Sequence, residues 1–268
     1  MSKGVLVDAT KCIGCRACQV ACKQWNELPA EETINKGTYE NPPQMSAYTF
    51  TKINFTEVEY NSKFHWVFNK LQCMHCDEPA CVEACIVGAL EKTPDGPVTY
   101  DDHKCIGCRY CQVACPFGIP NFEWDEPLPW IRKCTFCADR QGGGLKPACV
   151  TTCPTGALEF GEREELITEA KRRILTAPNN RYYDHIYGEK EVGGTSWLYI
   201  SPVPFEMLGF PHVGTKAVTT HAKRAMRMVP PVLVGVAVVM TGIYWLTKRR
   251  QKISQTVGSE KEKTGVTK

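Results

Sequence analysis

Sixteen cysteines in four groups of four constrain what this chain of 268 residues can fold into more than anything else in it. Group I is Cys12, Cys15, Cys18 and Cys22, with two, two and three residues between successive members, and group III, Cys105, Cys108, Cys111 and Cys115, has the same spacing. Group II is Cys73, Cys76, Cys81 and Cys85, with intervals of two, four and three; group IV is Cys134, Cys137, Cys149 and Cys153, with intervals of two, eleven and three. So much sulfur means either a disulfide framework or bound metal, and spacing decides between them. The partition into fours is complete. No cysteine is left over for a disulfide or a lone nucleophile, which favours metal. The repeat also extends beyond the cysteines, because KCIGCRACQVAC at 11–22 recurs as KCIGCRYCQVAC at 104–115 with one difference, as a duplicated structural unit would.

A 4Fe–4S cube presents one iron at each of four corners. Three closely spaced thiolates reach three corners from one wrapping loop, and the fourth ligand comes from elsewhere. In two-cluster ferredoxins the cysteine after the last three-residue step, often followed by proline, ligates the other cluster. Pro116 and Pro154 stand in that position after groups III and IV, whereas Lys23 and Ile86 occupy it after groups I and II. Zinc is the alternative, since Cys-x-x-Cys pairs also build zinc sites. Groups I and III each add a third cysteine two residues on and a fourth three beyond, which is the cubane pattern.

Clusters held by four thiolates have no open position, and no other set of side chains here is equipped for substrate chemistry. The expectation is an electron-transfer protein without catalytic residues. His75, inside Cys-Met-His-Cys, is read as a loop residue because its group already supplies four thiolates. Trp25, Trp66, Trp124 and Trp130 are expected in the core, or as shields between clusters and water. Arg16, Lys104, Arg109 and Lys133 adjoin ligands, where they either raise reduction potentials by offsetting cluster charge or lie on a solvated surface.

Between groups I and II, residues 46–68 carry alternating apolar positions (Tyr48 and Phe50, then Phe64, Trp66 and Phe68), expected as strands with Asn61 and Ser62 at a turn. After group IV, GEREELITEAKRRILTAP has Leu166, Ala170 and Ile174 on one helical face and Pro178 as a stop. Residues 179–227, where Gly and Pro are frequent, are expected as an extended segment over the cluster domain. Met228 to Thr247 runs 20 residues without a charge, about 30 Å as a helix and enough to cross a bilayer core. Arg224 and Arg227 flank it on one side and Lys248, Arg249 and Arg250 on the other, with Tyr244 and Trp245 at the level of an interfacial belt. Pro230 and Pro231 are expected in its first turn, and the polar tail at 248–268 is expected to be mobile beyond Lys252. No apolar leader or twin arginine precedes Cys12, so the expectation is no export signal of its own. The formal net charge of +3 gives no case for nucleic-acid binding.

With these residues in view, the chain resembles the four-cluster beta subunits of membrane-bound formate dehydrogenases and related molybdenum or tungsten oxidoreductases. CIGCRACQVACKQWNELPAEET at 12–33, QCMHCDEPAC at 72–81 and KPACVTTCPTGALEFG at 146–161 carry the likeness. YGEKEVGGTSWLYISPVPFEMLG at 187–209 and the apolar helix also resemble the iron–sulfur subunit of a membrane-bound nickel–iron hydrogenase. The resemblance implies an α+β fold of two ferredoxin-like units, one inserted in the other, spanning residues 1–178. Groups I and IV would form the outer unit, and groups II and III the inner one at about 70–120. A linker at 179–227 and a single transmembrane helix at 228–247 would follow.

The resemblance further implies four 4Fe–4S clusters: Cys12, Cys15 and Cys18 with Cys153; Cys134, Cys137 and Cys149 with Cys22; Cys73, Cys76 and Cys81 with Cys115; and Cys105, Cys108 and Cys111 with Cys85. Its implied partners are a catalytic alpha subunit, of the Mo/W-pterin formate dehydrogenase or Ni–Fe hydrogenase kind, an integral membrane cytochrome b or quinone-reactive subunit, and membrane lipid. Co-export with the catalytic subunit would put the clusters on the outer, periplasmic face. Six Lys and Arg in 248–267 against four in 208–227 place the tail in the cytoplasm, in the same sense.

Overall fold

The run Val5-Leu6-Val7, too short for a helix and rich in β-branched residues, forms a strand buried on both faces. In a computed structural model describing residues 2–178 and 181–264, the elements run β1 (Lys3–Asp8), α1 (Ala17–Trp25), β2 (Lys52–Tyr60), β3 (Lys63–Leu71), α2 (Ala80–Glu83), β4 (Leu90–Lys92), β5 (Val98–Tyr100), α3 (Tyr110–Ala114), β6 (Asn121–Phe122), β7 (Ile131–Arg132), α4 (Ala138–Gly142), α5 (Ala148–Thr151), β8 (Leu158–Glu162), α6 (Arg163–Thr176), β9 (Trp197–Ile200) and α7 (Thr220–Thr264). Residues up to Thr219 make one compact unit and α7 belongs to a second.

In the first unit β1 is the centre of a three-stranded sheet of order β8-β1-β9, antiparallel to β8 and parallel to β9. Side chains alternate across the strands. Leu6, Leu198 and Ile200 meet Leu166, Ile167 and Ala170 of α6, the helix expected at 161–178. Val5, Val7, Trp197 and Tyr199 face the other way, into a core shared with Cys18, Phe136, Cys149 and Leu158. The sheet therefore stands between a covering helix and the cysteine loops.

The segment after 178 is more than an extended cover, since β9 supplies four fully buried residues to the sheet. A parallel β1-β9 pairing needs a long crossover and is invisible to local pattern.

Asn61 and Ser62, both at positive φ (50° and 57°), form the two-residue turn of the β2-β3 hairpin, the geometry that matches strand twist. The strands begin later than expected, at Lys52. Residues 46–49 instead form a turn in which Ser46 Oγ accepts the Tyr48 and Thr49 amides and both hydroxyls bond Glu31.

Helix α7 starts eight residues before the apolar run, because the preceding Ala, Lys, Arg and Met residues sustain a helix. Pro230 and Pro231 therefore lie inside it, not in its first turn. The backbone is also helical through Thr264, where a mobile tail was expected; Asn179, Asn180 and residues 265–268 lie outside the described residues. One helix within 223–254 is long and apolar enough to cross a membrane.

Leu198 is fully buried between β1 and α6. Leu198→Ala should cost about 2–5 kcal/mol, read as a lower urea midpoint for the detergent-solubilised protein. The partly exposed Met207→Ala should change it by no more than about 0.5 kcal/mol.

Candidate cluster-binding site

The first Cys-x-x-Cys loop of each group turns left-handed at its third residue: Gly14 at φ 66°, His75 at 48°, Gly107 at 67° and Phe136 at 57°. Glycine takes this conformation without a Cβ clash, whereas other residues cost about 1–2 kcal/mol there. His75 and Phe136 are almost wholly buried and stack on one another, ring centroids 4.9 Å apart, so packing offsets that strain. The turn aims an amide back at the first sulfur of the loop. Gly107 N–H donates to Cys105 Sγ at 3.4 Å, and Phe136 N–H donates to Cys134 Sγ at 3.4 Å. Such bonds help hold a thiolate and set cluster potential.

A second glycine series follows three of the groups. Gly88, Gly118 and Gly156, all near φ 62°, return their N–H to the carbonyls of Cys85, Cys115 and Cys153, and the Ala89 N–H reaches Cys85 Sγ at 3.2 Å.

Short helices carry the remaining ligand candidates. Helix α1, with Cys18 and Cys22, packs on α5, with Cys149; α2, with Cys81, packs on α3, with Cys111. A cavity is lined by Cys12, Cys15, Cys18 and Cys153 together with Lys70 and Leu158. Burial pushes the Cys18 thiol up to about 12, with the thiolates of Cys149, Cys12 and Cys15 acting the same way against Lys70. Cys22 is likewise pushed to about 12 by burial, beside Cys149 and Cys137. Burial holds Cys134 well above its ordinary value, with Cys22 and Cys73 adding to the effect. In the other half, burial raises Cys76 well above its ordinary value beside Cys73, Cys115 and Cys81. Cys81 is pushed to about 12 by burial, next to Cys73, Cys115 and Cys111. Cys111 is pushed to about 11, again chiefly by burial, next to Cys105, Cys108 and Cys85.

An all-sulfur donor set selects iron–sulfur clusters or zinc. Among the described residues no three His, Cys, Asp or Glu side chains converge closely enough to hold one metal ion. Thiols spread around a space fit a cube with an iron at each corner better than a single zinc, whose four ligands all lie within about 2.3 Å of it.

The flanking residues divide. His75 Nδ1 accepts the Val98 N–H at 2.8 Å, Nε2 is buried without a hydrogen-bond partner, and burial holds the ring neutral. Trp25, Trp66 and Trp124 are exposed rather than core. Their rings lie against other side chains instead: Trp25 under Arg140, Trp66 on Tyr39, and Trp124 under Arg109. Arg16 stacks over Phe55 as Arg109 does over Phe122, so the duplicated motif uses its arginine alike in both copies. Lys104 is solvated and pairs with Asp101. Lys133 is buried, and its ammonium donates to the carbonyls of Val98 and Cys134. Lys70, which the sequence reading passed over, is buried at the cysteine cavity.

Residues 11–89 match one family model described as a 4Fe-4S dicluster domain, and residues 64–163 match another. A protein of Nitratidesulfovibrio vulgaris (strain Hildenborough) is 45% identical over 271 residues, which cover 99% of this chain and 72% of the relative. The nitrate-inducible formate dehydrogenase iron-sulfur subunit of Escherichia coli K12 is 42% identical over 198 residues, 73% of this chain and 66% of that subunit. The hydrogenase-2 operon protein HybA of Escherichia coli O157:H7 is 34% identical over 281 residues, covering 94% of this chain and 85% of the relative. The match thus spans just under two thirds of the formate dehydrogenase subunits' own length.

Buried thiols that keep their protons must release them to bind iron. With Cys18, Cys22 and Cys81 pushed up to about 12, loading of the iron-free chain should be opposed as pH falls and favoured as it rises. Anaerobic iron and sulfide titration should show tighter uptake at pH 8 than at pH 6; an uptake independent of pH would contradict the thiol environments described.

Proposed function

Since the chain belongs to the family of 4Fe-4S dicluster iron–sulfur subunits, we propose that it relays electrons between a Mo/W-pterin formate dehydrogenase subunit and an integral membrane cytochrome b or quinone-reactive subunit. The chain is a non-catalytic subunit, and its 4Fe–4S domains serve electron relay. When bound, each cluster takes up and gives out one electron. The chain's own residues fix the clusters, shield them and set their potentials.

The observation that carries this reading is the grouping of thiols across the sequence. Cys12 faces Cys153, Cys22 faces Cys137 and Cys149, Cys76 faces Cys115, and Cys111 faces Cys85. Each pairing joins a member of one group to the fourth cysteine of another. This supports four clusters: Cys12, Cys15, Cys18 and Cys153; Cys22, Cys134, Cys137 and Cys149; Cys73, Cys76, Cys81 and Cys115; Cys85, Cys105, Cys108 and Cys111. Packing of α1 on α5 and of α2 on α3 supports an outer unit from groups I and IV and an inner unit at about 70–120 from groups II and III. The proximity of Cys18 to Cys149, of Cys134 to Cys73 and of Cys81 to Cys111 supports a linear order through the four sites.

In this reading α7 anchors the subunit in the lipid, with the clusters on the outer face and the tail in the cytoplasm. The surplus of Lys and Arg after the apolar run favours that orientation.

One observation favours a nickel–iron hydrogenase as the catalytic partner instead. The match to the hydrogenase-2 operon protein takes in 94% of this chain, against 73% for the formate dehydrogenase subunit. Native mass spectrometry and metal analysis of the detergent-solubilised complex decide between the two. About sixteen irons on this chain, beside a large subunit with Mo or W, is the expected result; nickel in that subunit moves the assignment to a hydrogenase.

The pairing has its own test. Cys153→Ala should perturb the same EPR signal as Cys15→Ala, and Cys22→Ala the same signal as Cys137→Ala. A match of Cys153→Ala with Cys137→Ala would overturn it.

A further inference from the structure

Lys70 closes the end of β3 with its side chain 2% exposed. Its ammonium donates to Thr51 Oγ1 at 2.7 Å and to Gln72 Oε1 at 2.9 Å, and stands 4.5 Å from the centre of the Trp197 ring. Those anchors are themselves fixed, because the Thr51 hydroxyl donates to the Leu71 carbonyl and the Gln72 amide to the Tyr199 hydroxyl. All of these partners are neutral. Lys52, also buried, shows the ordinary solution, a carboxylate partner in Glu40 at 2.6 Å.

A buried cation without a counter-ion is costly and is kept only where negative charge faces it. Here that charge belongs to sulfur. Lys70 lines the cavity of Cys12, Cys15, Cys18 and Cys153. Cys149, Cys18, Cys134 and Cys22 also lie near enough to feel its charge. Both sets of sulfur in the half built by groups I and IV therefore face one ammonium.

We propose that Lys70 raises the reduction potentials of the two clusters held by groups I and IV, an inference that rests on the four-cluster reading above. Reduction brings one electron from the neighbouring site of the relay to a cluster already carrying excess negative charge from four thiolates, and no bond is made or broken. A fixed cation in a weakly polarisable surrounding stabilises the extra charge of the reduced form more than the oxidised form. Lys70 acts through its charge and touches no iron. Its effect falls on the nearest pair, while Lys133 stands beside Cys81 in the other half.

The test is an EPR-monitored redox titration of the intact detergent-solubilised complex carrying Lys70→Met, Lys70→Gln or Lys70→Arg. With iron content equal to the unaltered complex, Lys70→Met and Lys70→Gln should move two of the four midpoint potentials downward and leave the other two in place, and Lys70→Arg should restore them. Full iron with all four potentials unmoved in a neutral variant overturns the proposal. Loss of iron from both neutral variants, with retention in Lys70→Arg, also overturns it, assigning the charge to assembly instead. An unaltered complex with fewer than about sixteen irons on this chain would sink the four-cluster reading rather than the role of Lys70.

Discussion

A buried thiolate needs hydrogen-bond donors aimed at it, and the first Cys-x-x-Cys loop of each group turns left-handed at its third residue, Gly14, His75, Gly107 or Phe136, which at Gly14, Gly107 and Phe136 sends an amide to the first sulfur. Much of the first unit follows from holding those turns. The two glycines adopt them freely and sit in the duplicated motif on the rim. The two non-glycine residues sit at the centre, where their rings stack on each other and Phe136 packs against Trp197. Trp197 in turn is held by β9 pairing with β1. The sheet thus serves as the floor that lets two strained loops persist, as strain at functional positions requires.

Charge is the second constraint, and burial and polarity answer it differently on the two sides of each loop. On the outer side Arg16 and Arg109 lie over aromatic rings of neighbouring strands, where solvent screens much of their field. On the inner side Lys70 and Lys133 are buried and bonded to hydroxyl, amide or carbonyl oxygen. Cations held by neutral acceptors leave their charge uncancelled for the sulfur beside them. An arrangement of this kind would be wasteful in a purely structural core, where a leucine of similar volume fills the space at less cost.

The cysteine groups, the Asn61-Ser62 turn and the helix after group IV were legible because each rests on a local signal: fixed spacing, turn chemistry and helical period. β1 and β9 were not. Each is a short apolar run whose meaning comes from pairing across most of the first unit, and a run of that length reads equally as loop or buried helix. Lys70 carried a signal that went unused, since it falls in phase with Phe64, Trp66 and Phe68 along one strand. A lysine in register with an apolar series is either an edge residue or a buried cation with a purpose. The exposed tryptophans were misjudged for the opposite reason, because size and hydrophobicity alone do not say whether a ring lies under an arginine at the surface or inside the core.

The second unit carries a helix long and apolar enough to meet a different solvent, a bilayer, and its two prolines sit where such a solvent would tolerate them. Pro230 and Pro231 lack amide hydrogens, so the carbonyls of Met226 and Arg227 lose their helical partners. In the middle of an apolar span that loss would be severe, since hydrocarbon offers no donor. Here it falls beside Arg224 and Arg227, whose long side chains would reach the polar boundary of a bilayer, where water and headgroups could bond those carbonyls. Further along, Thr241 and Thr247 turn their hydroxyls back to the carbonyls of Ala237 and Ile243 at 2.7 and 2.8 Å. Both hydroxyl protons are thereby paired within the helix. At the far end Lys248 and Arg249 lie over Tyr244 and Trp245, an aromatic and basic collar suited to the opposite interface. From Val232 to Thr247, the rings of Tyr244 and Trp245 included, the charge-free stretch is about 24 Å of uninterrupted helix, and the Met228–Pro231 turn adds the length that a bilayer core of about 30 Å calls for.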